Sequence, residues 1–96
     1  MNLRALRERQ PDGEVLRKFT EVARLLTGDA NAGADDGVRW LETLVRDLQI
    51  PQLSVYGIAP ARTAELVEKA TAASSMKGNP LPLTAAELKE VLTAAL

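Results

Sequence analysis

The sequence predicts an all-α fold, a small helical bundle of about four main helices with an irregular apolar connector. Four segments repeat apolar residues with the 3.6-residue period of a helix that buries one face, and no run alternates with the two-residue period of a strand. Glycine and proline concentrate between these segments. Because the 96 residues contain no repeat or linker, we expect a single helical domain over residues 1–96.

The first predicted helix runs from about Asp12 to Leu26. Asp12 is a suitable N-cap, and Gly28 lies just past the end, where a left-handed residue often closes a helix. Its apolar face comprises Val15, Leu16, Phe19, Val22, Ala23 and Leu26. Leu3 and Leu6 predict one short additional turn near the N-terminus.

The second predicted helix runs from about Asp35 to Leu48 and is expected to end at Pro51. Asp35 and Asp36 suit the positive end of its dipole. Its expected inner stripe, flanked by Trp40, comprises Val38, Leu41, Leu44, Val45 and Leu48. We expect these five residues, with Trp40 and Phe19, to be core residues.

Residues 50–58 form the apolar connector, which could hold a strand but offers it no pairing partner. Tyr56 either fills the core or lines a cleft, and the core is favoured. Pro60 fits the first position of a third helix, whose narrower stripe contains Ala61, Leu66, Val67, Ala70 and Ala73. A last helix begins at Thr84, which forms a capping box with Glu87.

Composition excludes several classes of function. Twelve Lys and Arg against thirteen Asp and Glu give a net charge of -1, which disfavours nucleic acid and anionic membranes as partners. The longest uncharged stretch, Leu48 to Ala61, is too short to cross a bilayer, and no export signal is visible, so we expect a cytoplasmic protein. The absence of cysteine and histidine removes the commonest nucleophiles, bases and metal ligands.

The remaining polar clusters favour structural roles. Paired carboxylates at Asp35–Asp36 and at Glu65 and Glu68 could contribute to a metal site, but a helix cap and a solvated face are the favoured interpretations. The cluster of Arg4, Arg7 and Arg9 favours a solvated N-terminal turn. No catalytic and no metal-ligating residue is predicted.

The loop from Ser74 to Leu81 is the strongest candidate site. It gathers two hydroxyls, a lysine, a glycine and an asparagine between two helices. This composition fits a binding lip, and it also fits an inter-helix turn that needs left-handed backbone at Gly78 and Asn79. The turn is favoured on composition, and both alternatives stay open.

Two passages carry a resemblance to a known family: residues 36–41 continuing through 48–58, and residues 74–84 with their Gly-Asn-Pro sequence before a capped final helix. In this order and separation they resemble the C-terminal end of the iron-containing alcohol dehydrogenases. The likeness extends from about Asn2 over essentially the whole chain. It implies that this chain is the C-terminal helical portion of the metal-binding domain of such an enzyme.

The resemblance implies a parent NAD(P)-dependent oxidoreductase that acts on a small alcohol or aldehyde. It implies NAD(P) and a divalent metal such as iron in the parent, with an aspartate and three histidines upstream of the matched portion as the metal ligands. This chain is expected to hold no cofactor and to be inactive alone. The residues implied as lining of the cleft between the enzyme's two domains are Ser75, Met76, Lys77, Gly78 and Asn79.

Two partners follow from these interpretations. If the chain is part of an enzyme, its partner is the missing N-terminal, metal-binding portion. The alternative is a stand-alone helical protein–protein interaction module without enzymatic activity, whose apolar faces bind another chain or a second copy. The sequence leaves the substrate and the choice between NAD and NADP open.

Overall fold

The computed structural model describes all 96 residues and contains five α-helices and no strand. The helices are α1 (Asn2–Arg9), α2 (Glu14–Thr27), α3 (Ala34–Asp47), α4 (Thr63–Ala72) and α5 (Ala85–Ala95), with short 3-10 helices at Leu53–Tyr56, Pro60–Arg62 and Ser74–Gly78. The all-α prediction of a small helical bundle is confirmed. No helix combines the length and the apolar character that crossing a bilayer requires.

The chain divides into two compact units, one of residues Leu3–Ile50 and one of Met1–Asn2 with Pro51–Leu96. The expected single domain over residues 1–96 therefore stays a prediction. The first unit holds α2, α3 and nearly all of α1, and the second holds α4, α5 and the three 3-10 helices.

In the first unit, α1 is a full helix of eight residues rather than the short turn expected. Leu3, Ala5 and Leu6 are buried, which explains its stability beyond one turn. Arg7 donates to both carboxylate oxygens of Asp35, at 3.1 and 2.7 Å. This ion pair joins α1 to the start of α3.

The N-cap of α2 is Gly13, so the expected cap at Asp12 is wrong. The amide of Gly13 donates to the carbonyl of Gln10 at 3.0 Å, and this turn carries Asp12 away from the cap position. At the other end Gly28 adopts a left-handed conformation, with φ of 71°, and its amide donates to the carbonyl of Arg24 at 3.0 Å. The predicted closure at Gly28 is confirmed.

Helices α2 and α3 approach each other closely at Gly37. A Cβ added at Gly37 would lie 2.8 Å from the Cβ of Ala23, and both residues are buried. Two small residues thus allow the helix backbones to come together where larger side chains would hold them apart.

Helix α3 ends at Asp47 with Leu48 as its C-cap, close to the predicted end at about Leu48, and it closes in a Schellman motif before Pro51. Gln49 adopts φ of 51°, its amide donates to the carbonyl of Arg46, and the amide of Ile50 donates to that of Val45. In this motif the chain folds back, so Ile50 lies beside the last turn of the helix.

The expected inner stripe of this helix is here called the α3 stripe and comprises Val38, Leu41, Leu44, Val45 and Leu48. It is exposed, and the prediction that it forms part of the core is wrong. The five side chains are 37–63% exposed, and Trp40 is 37% exposed. Burial in α3 is confined to Ala34 and Gly37 near its start, and every residue from Val38 to Ile50 is exposed. Periodicity identified the apolar side of the helix correctly, but that side stays exposed. Phe19 of α2 is half-buried.

In the second unit, the connector forms a 3-10 helix over Leu53–Tyr56 that ends at Gly57 with φ of 79°. Tyr56 is 68% exposed, so the favoured core position is wrong. A left-handed residue directly after Tyr56 closes this short helix, and the ring stays on its outer side.

The two later helices begin largely as predicted. Pro60 opens a 3-10 turn that leads into α4 at Thr63, and the cap residue Ala59 makes no side-chain hydrogen bond. Before α5, the hydroxyl of Thr84 accepts from the Glu87 amide at 3.2 Å, and the Glu87 carboxylate accepts from the Thr84 amide at 2.7 Å. The predicted capping box is confirmed.

Candidate functional site

The candidate loop is a 3-10 helix, Ser74–Gly78, that follows α4 after one extended residue, Ala73. Asn79, next along the chain, is also extended, with φ of -69° and ψ of 143°, and Gly78 has no positive φ. The expectation that an inter-helix turn would need left-handed backbone at these two residues is therefore wrong. The amide of Asn79 donates to the carbonyl of Met76 at 3.1 Å, and this bond closes the turn.

Asn79 holds the loop through its side chain. Its amide nitrogen donates to the side-chain oxygen of Asn2 at 3.0 Å and to the carbonyl of Leu81 at 2.7 Å. In return, the side-chain nitrogen of Asn2 donates to Asn79 Oδ1 at 2.8 Å. The reciprocal amide pair ties the first residues of the chain to the loop within the same unit. Sequence reasoning missed Asn2, because the two residues are 77 positions apart.

A cavity of about 390 Å³ lies beside this loop. Its wall is formed by the end of α4, by residues 80–83 and by Leu88, and three loop residues, Met76, Lys77 and Asn79, also line it. Ser75 and Gly78 are exposed and do not line it. The structure therefore brings three of the five predicted residues to one cavity. Whether these residues line the cleft of an enzyme stays a prediction.

The chemistry of this cavity is that of a binding wall. Lys77 is the one charged residue that lines it, and the hydroxyl of Thr71 and the amide of Asn79 are the other polar side-chain groups. The rest is alanine, proline, leucine and methionine. The Asn79 amide is already engaged with Asn2 and Leu81, so Lys77 on an apolar wall is the group suited to non-covalent contact with a small anionic or polar group. The lining offers no nucleophile beside a general base.

A second concavity, an open groove of about 1110 Å³, runs along α4 and α5. Small residues dominate its lining, including Ala61, Ala64, Ala85 and Ala86, and Glu68 and Lys89 supply its charged groups. Its lining places no nucleophile beside a general base.

Of the two carboxylate pairs, Asp36 takes the favoured capping role, Asp35 pairs with Arg7 instead, and Glu65 and Glu68 are exposed on α4. Asp36 accepts from the Gly33 amide at 2.7 Å, and this bond, together with Arg39, lowers the pKa of the Asp36 carboxyl. Hydrogen bonds from Arg7 lower the pKa of Asp35 in the same way. Glu65 lies between Lys69 and Arg62, which both donate to it and lower its pKa.

The donor set does not fit the divalent metal of the resembled family. The chain has no histidine, and its carboxylates nowhere form a group of three that could hold an ion. Any metal of a parent enzyme would need ligands from outside these 96 residues.

Comparisons with protein-family models, with curated proteins and with solved structures find no match for this chain. The resemblance to the iron-containing alcohol dehydrogenases therefore stays a prediction, which depends on the two passages quoted above.

Proposed function

We propose that this chain is a helical packing portion of a larger assembly and supplies surface rather than catalytic groups. The observation that carries the proposal is the exposure of the α3 stripe. Five large apolar side chains on one side of a helix are normally covered, and an exposed apolar patch of this kind marks an interaction site. The charged side chains of α3 lie outside the stripe, where Arg39 pairs with Asp36 and Arg46 with Asp47.

The assembly that we propose is a cytoplasmic NAD(P)-dependent oxidoreductase of the iron-containing alcohol dehydrogenase type, acting on a small alcohol or aldehyde. Support for this assignment comes from the resemblance of residues 36–58 and 74–84 to the end of that family. In such an enzyme the α3 stripe would pack against the upstream metal-binding helices. The loop at Ser74–Gly78 would face the cleft with Lys77 and Met76.

Reconstitution tests this proposal. The chain is expressed together with an iron-containing alcohol dehydrogenase truncated just before the passage that corresponds to Asn2, and NAD(P)-linked oxidation of a small alcohol is measured. We expect the two polypeptides to co-purify and to recover activity that neither has alone. Leu41→Glu should abolish both results, because it places a charge on the α3 stripe.

Matched controls separate binding from catalysis. Leu25 is 83% exposed on α2 and lies outside the stripe, so Leu25→Glu should leave the complex intact. Lys77→Ala should change KM or kcat of the complex while the melting temperature of the isolated chain stays nearly constant, since exposed substitutions cost within about 0.5 kcal/mol. A wild-type chain that neither binds the truncated enzyme nor restores turnover would contradict the oxidoreductase assignment.

The alternative is a stand-alone interaction module without enzymatic activity. The exposed α3 stripe favours this function as well, because a partner could be any chain with a matching apolar face. Failure of reconstitution, combined with stable binding of another chain through the stripe, would select the module.

A further inference from the structure

The uncovered surface of α3 has the spacing of a coiled-coil seam. Val38, Leu41, Val45 and Leu48 follow one another at intervals of three, four and three residues, which is the a/d pattern of a heptad. The charged residues of the helix fall outside these four positions. A helix with this pattern packs lengthwise against another helix, with its side chains in the spaces between those of the neighbour.

The rest of the same unit covers this seam only in part, since its four side chains stay 37–63% exposed. Helix α2 meets α3 at Gly37, and Ala34 and Gly37 are the only α3 residues that are buried. From Val38 onward, three turns of α3 expose every residue. Within the unit, α2 packs on α3 and Arg7 of α1 pairs with Asp35 at the start of α3, whereas a bundle surrounds each helix along its length. The seam therefore needs at least one further helix.

We infer that a second copy of this chain covers the α3 seam, with the two α3 helices antiparallel about a two-fold axis at the level of Thr43. This inference deepens the proposed packing function, on which it rests, by naming the partner that the chain takes when it stands alone. The symmetry of the seam carries it. Val38 and Leu48 lie five residues on either side of Thr43, and Leu41 and Val45 lie two on either side.

Antiparallel pairing about that point sets one valine against one leucine in each of four layers. Val38 meets Leu48 of the partner subunit, and Leu41 meets Val45 of the partner subunit, and the axis repeats both pairs. Each layer then contains one valine and one leucine, so the side-chain volume is the same in all four. A two-fold interface of this kind is self-complementary and closed, so association stops at the dimer.

The available area is sufficient for a stable dimer. The α3 stripe and Ile50, which the Schellman motif places beside Val45, are six apolar residues with 37–63% exposure. At roughly 80 Å² each they offer on the order of 480 Å² of apolar surface. A standard interface buries about 800 Å² on each partner, of which about 450–520 Å² is apolar. The two areas agree without any contribution from α2.

Molar mass in solution tests the dimer. We expect sedimentation equilibrium of the whole chain at about 100 μM to give twice the monomer mass, since interfaces of this size have dissociation constants below that concentration. Val45→Glu should give a monomer with an unchanged helical circular dichroism spectrum. Leu25→Glu, an equal change at a more exposed apolar residue outside the seam, should remain a dimer.

Disulfide trapping tests the orientation, and the cysteine-free chain makes the result unambiguous. Chains with Val38→Cys and chains with Leu48→Cys are mixed and oxidised. An antiparallel seam brings the two different cysteines within bonding distance and gives mixed dimers, whereas either variant alone should remain largely reduced. Efficient pairing of Val38→Cys with itself would overturn the antiparallel arrangement.

A monomeric wild-type chain at 100 μM, or a dimer that Leu25→Glu disrupts and Val45→Glu does not, would overturn the inference. Neither result would contradict the oxidoreductase assignment, which depends on reconstitution with a truncated enzyme. Conversely, failed reconstitution with a dimer that Val45→Glu disrupts would leave the inference intact.

Discussion

At the residue scale, Gly37 lies where α2 and α3 approach each other closely, so adding a side chain there should lower stability. Alanine is the better helix former by about 1 kcal/mol, yet its Cβ would lie 2.8 Å from that of Ala23 and 3.0 Å from the Ala23 Cα. We expect Gly37→Ala to lower the free energy of unfolding by about 1–3 kcal/mol, because the helices must separate. Urea denaturation measures the change.

Two further variants control this prediction. Gly78→Ala should leave stability nearly unchanged, since a Cβ there meets nothing within 4 Å. Combining Gly37→Ala with Ala23→Gly should cost less than the sum of the two single changes, because the second change makes room for the first. Additive losses would show that the contact is not what limits Gly37.

The ion pair of Arg7 with Asp35 should make the stability of the folded chain fall in acid. Arg7 lowers the pKa of Asp35 in the folded chain, so the resulting stabilisation is present above the unfolded pKa of about 3.9. It is lost as pH falls through the lowered folded value. Between pH 7 and pH 2.5, Arg7→Gln should therefore show a smaller fall in melting temperature than the wild type.

Arg46→Gln is the control for that comparison, because Arg46 pairs only with its neighbour Asp47 on the same helix. Its melting temperature should follow the wild-type pH profile. Equal profiles for Arg7→Gln and the wild type would mean that the pair adds no acid-sensitive stability.

At the scale of the element, two N-caps in the second unit test the same effect in opposite directions: one variant removes a capping hydroxyl and the other adds one. Thr84 caps α5 through its hydroxyl, and Thr84→Ala should cost about 1 kcal/mol, whereas Thr84→Ser should cost little. Ala59 has extended backbone at the corresponding position before Pro60 and makes no side-chain bond. Ala59→Ser should therefore stabilise the chain by up to about 1 kcal/mol, as thermal unfolding would show.

Local signals explain which elements could be predicted from the sequence. The correctly predicted features each depend on residues within a few positions of one another. They are the helix closure at Gly28, Pro60 at the first position of a helical turn, and the capping box at Thr84. The cap at Asp12 failed because a turn from Gln10 displaced it, and the Schellman closure of α3 was missed because Gln49, not a glycine, takes the left-handed position. Such a conformation in glutamine has no reliable sequence signal.

The candidate site depends on contacts between residues far apart in the chain, which could not be predicted from the sequence. The amide pair of Asn2 with Asn79 and the ion pair of Arg7 with Asp35 join positions 77 and 28 residues apart. Periodicity identifies the apolar side of α3, but it does not say what covers that side. For the same reason the exposure of Trp40 and Tyr56 could not be predicted, because burial is a property of the packed chain.

For the whole molecule, a shared seam links stability to concentration. If a second copy covers α3, unfolding separates two chains, and each tenfold rise in chain concentration favours the folded dimer by about 1.4 kcal/mol. The melting temperature of the wild type should then rise by several degrees between about 5 and 500 μM. Leu41→Glu should remove this dependence, since a buried charge opposes pairing, and Leu25→Glu should preserve it. A wild-type melting temperature that is constant over this range would mean that the α3 stripe remains exposed to water, so that stability depends only on contacts within each chain.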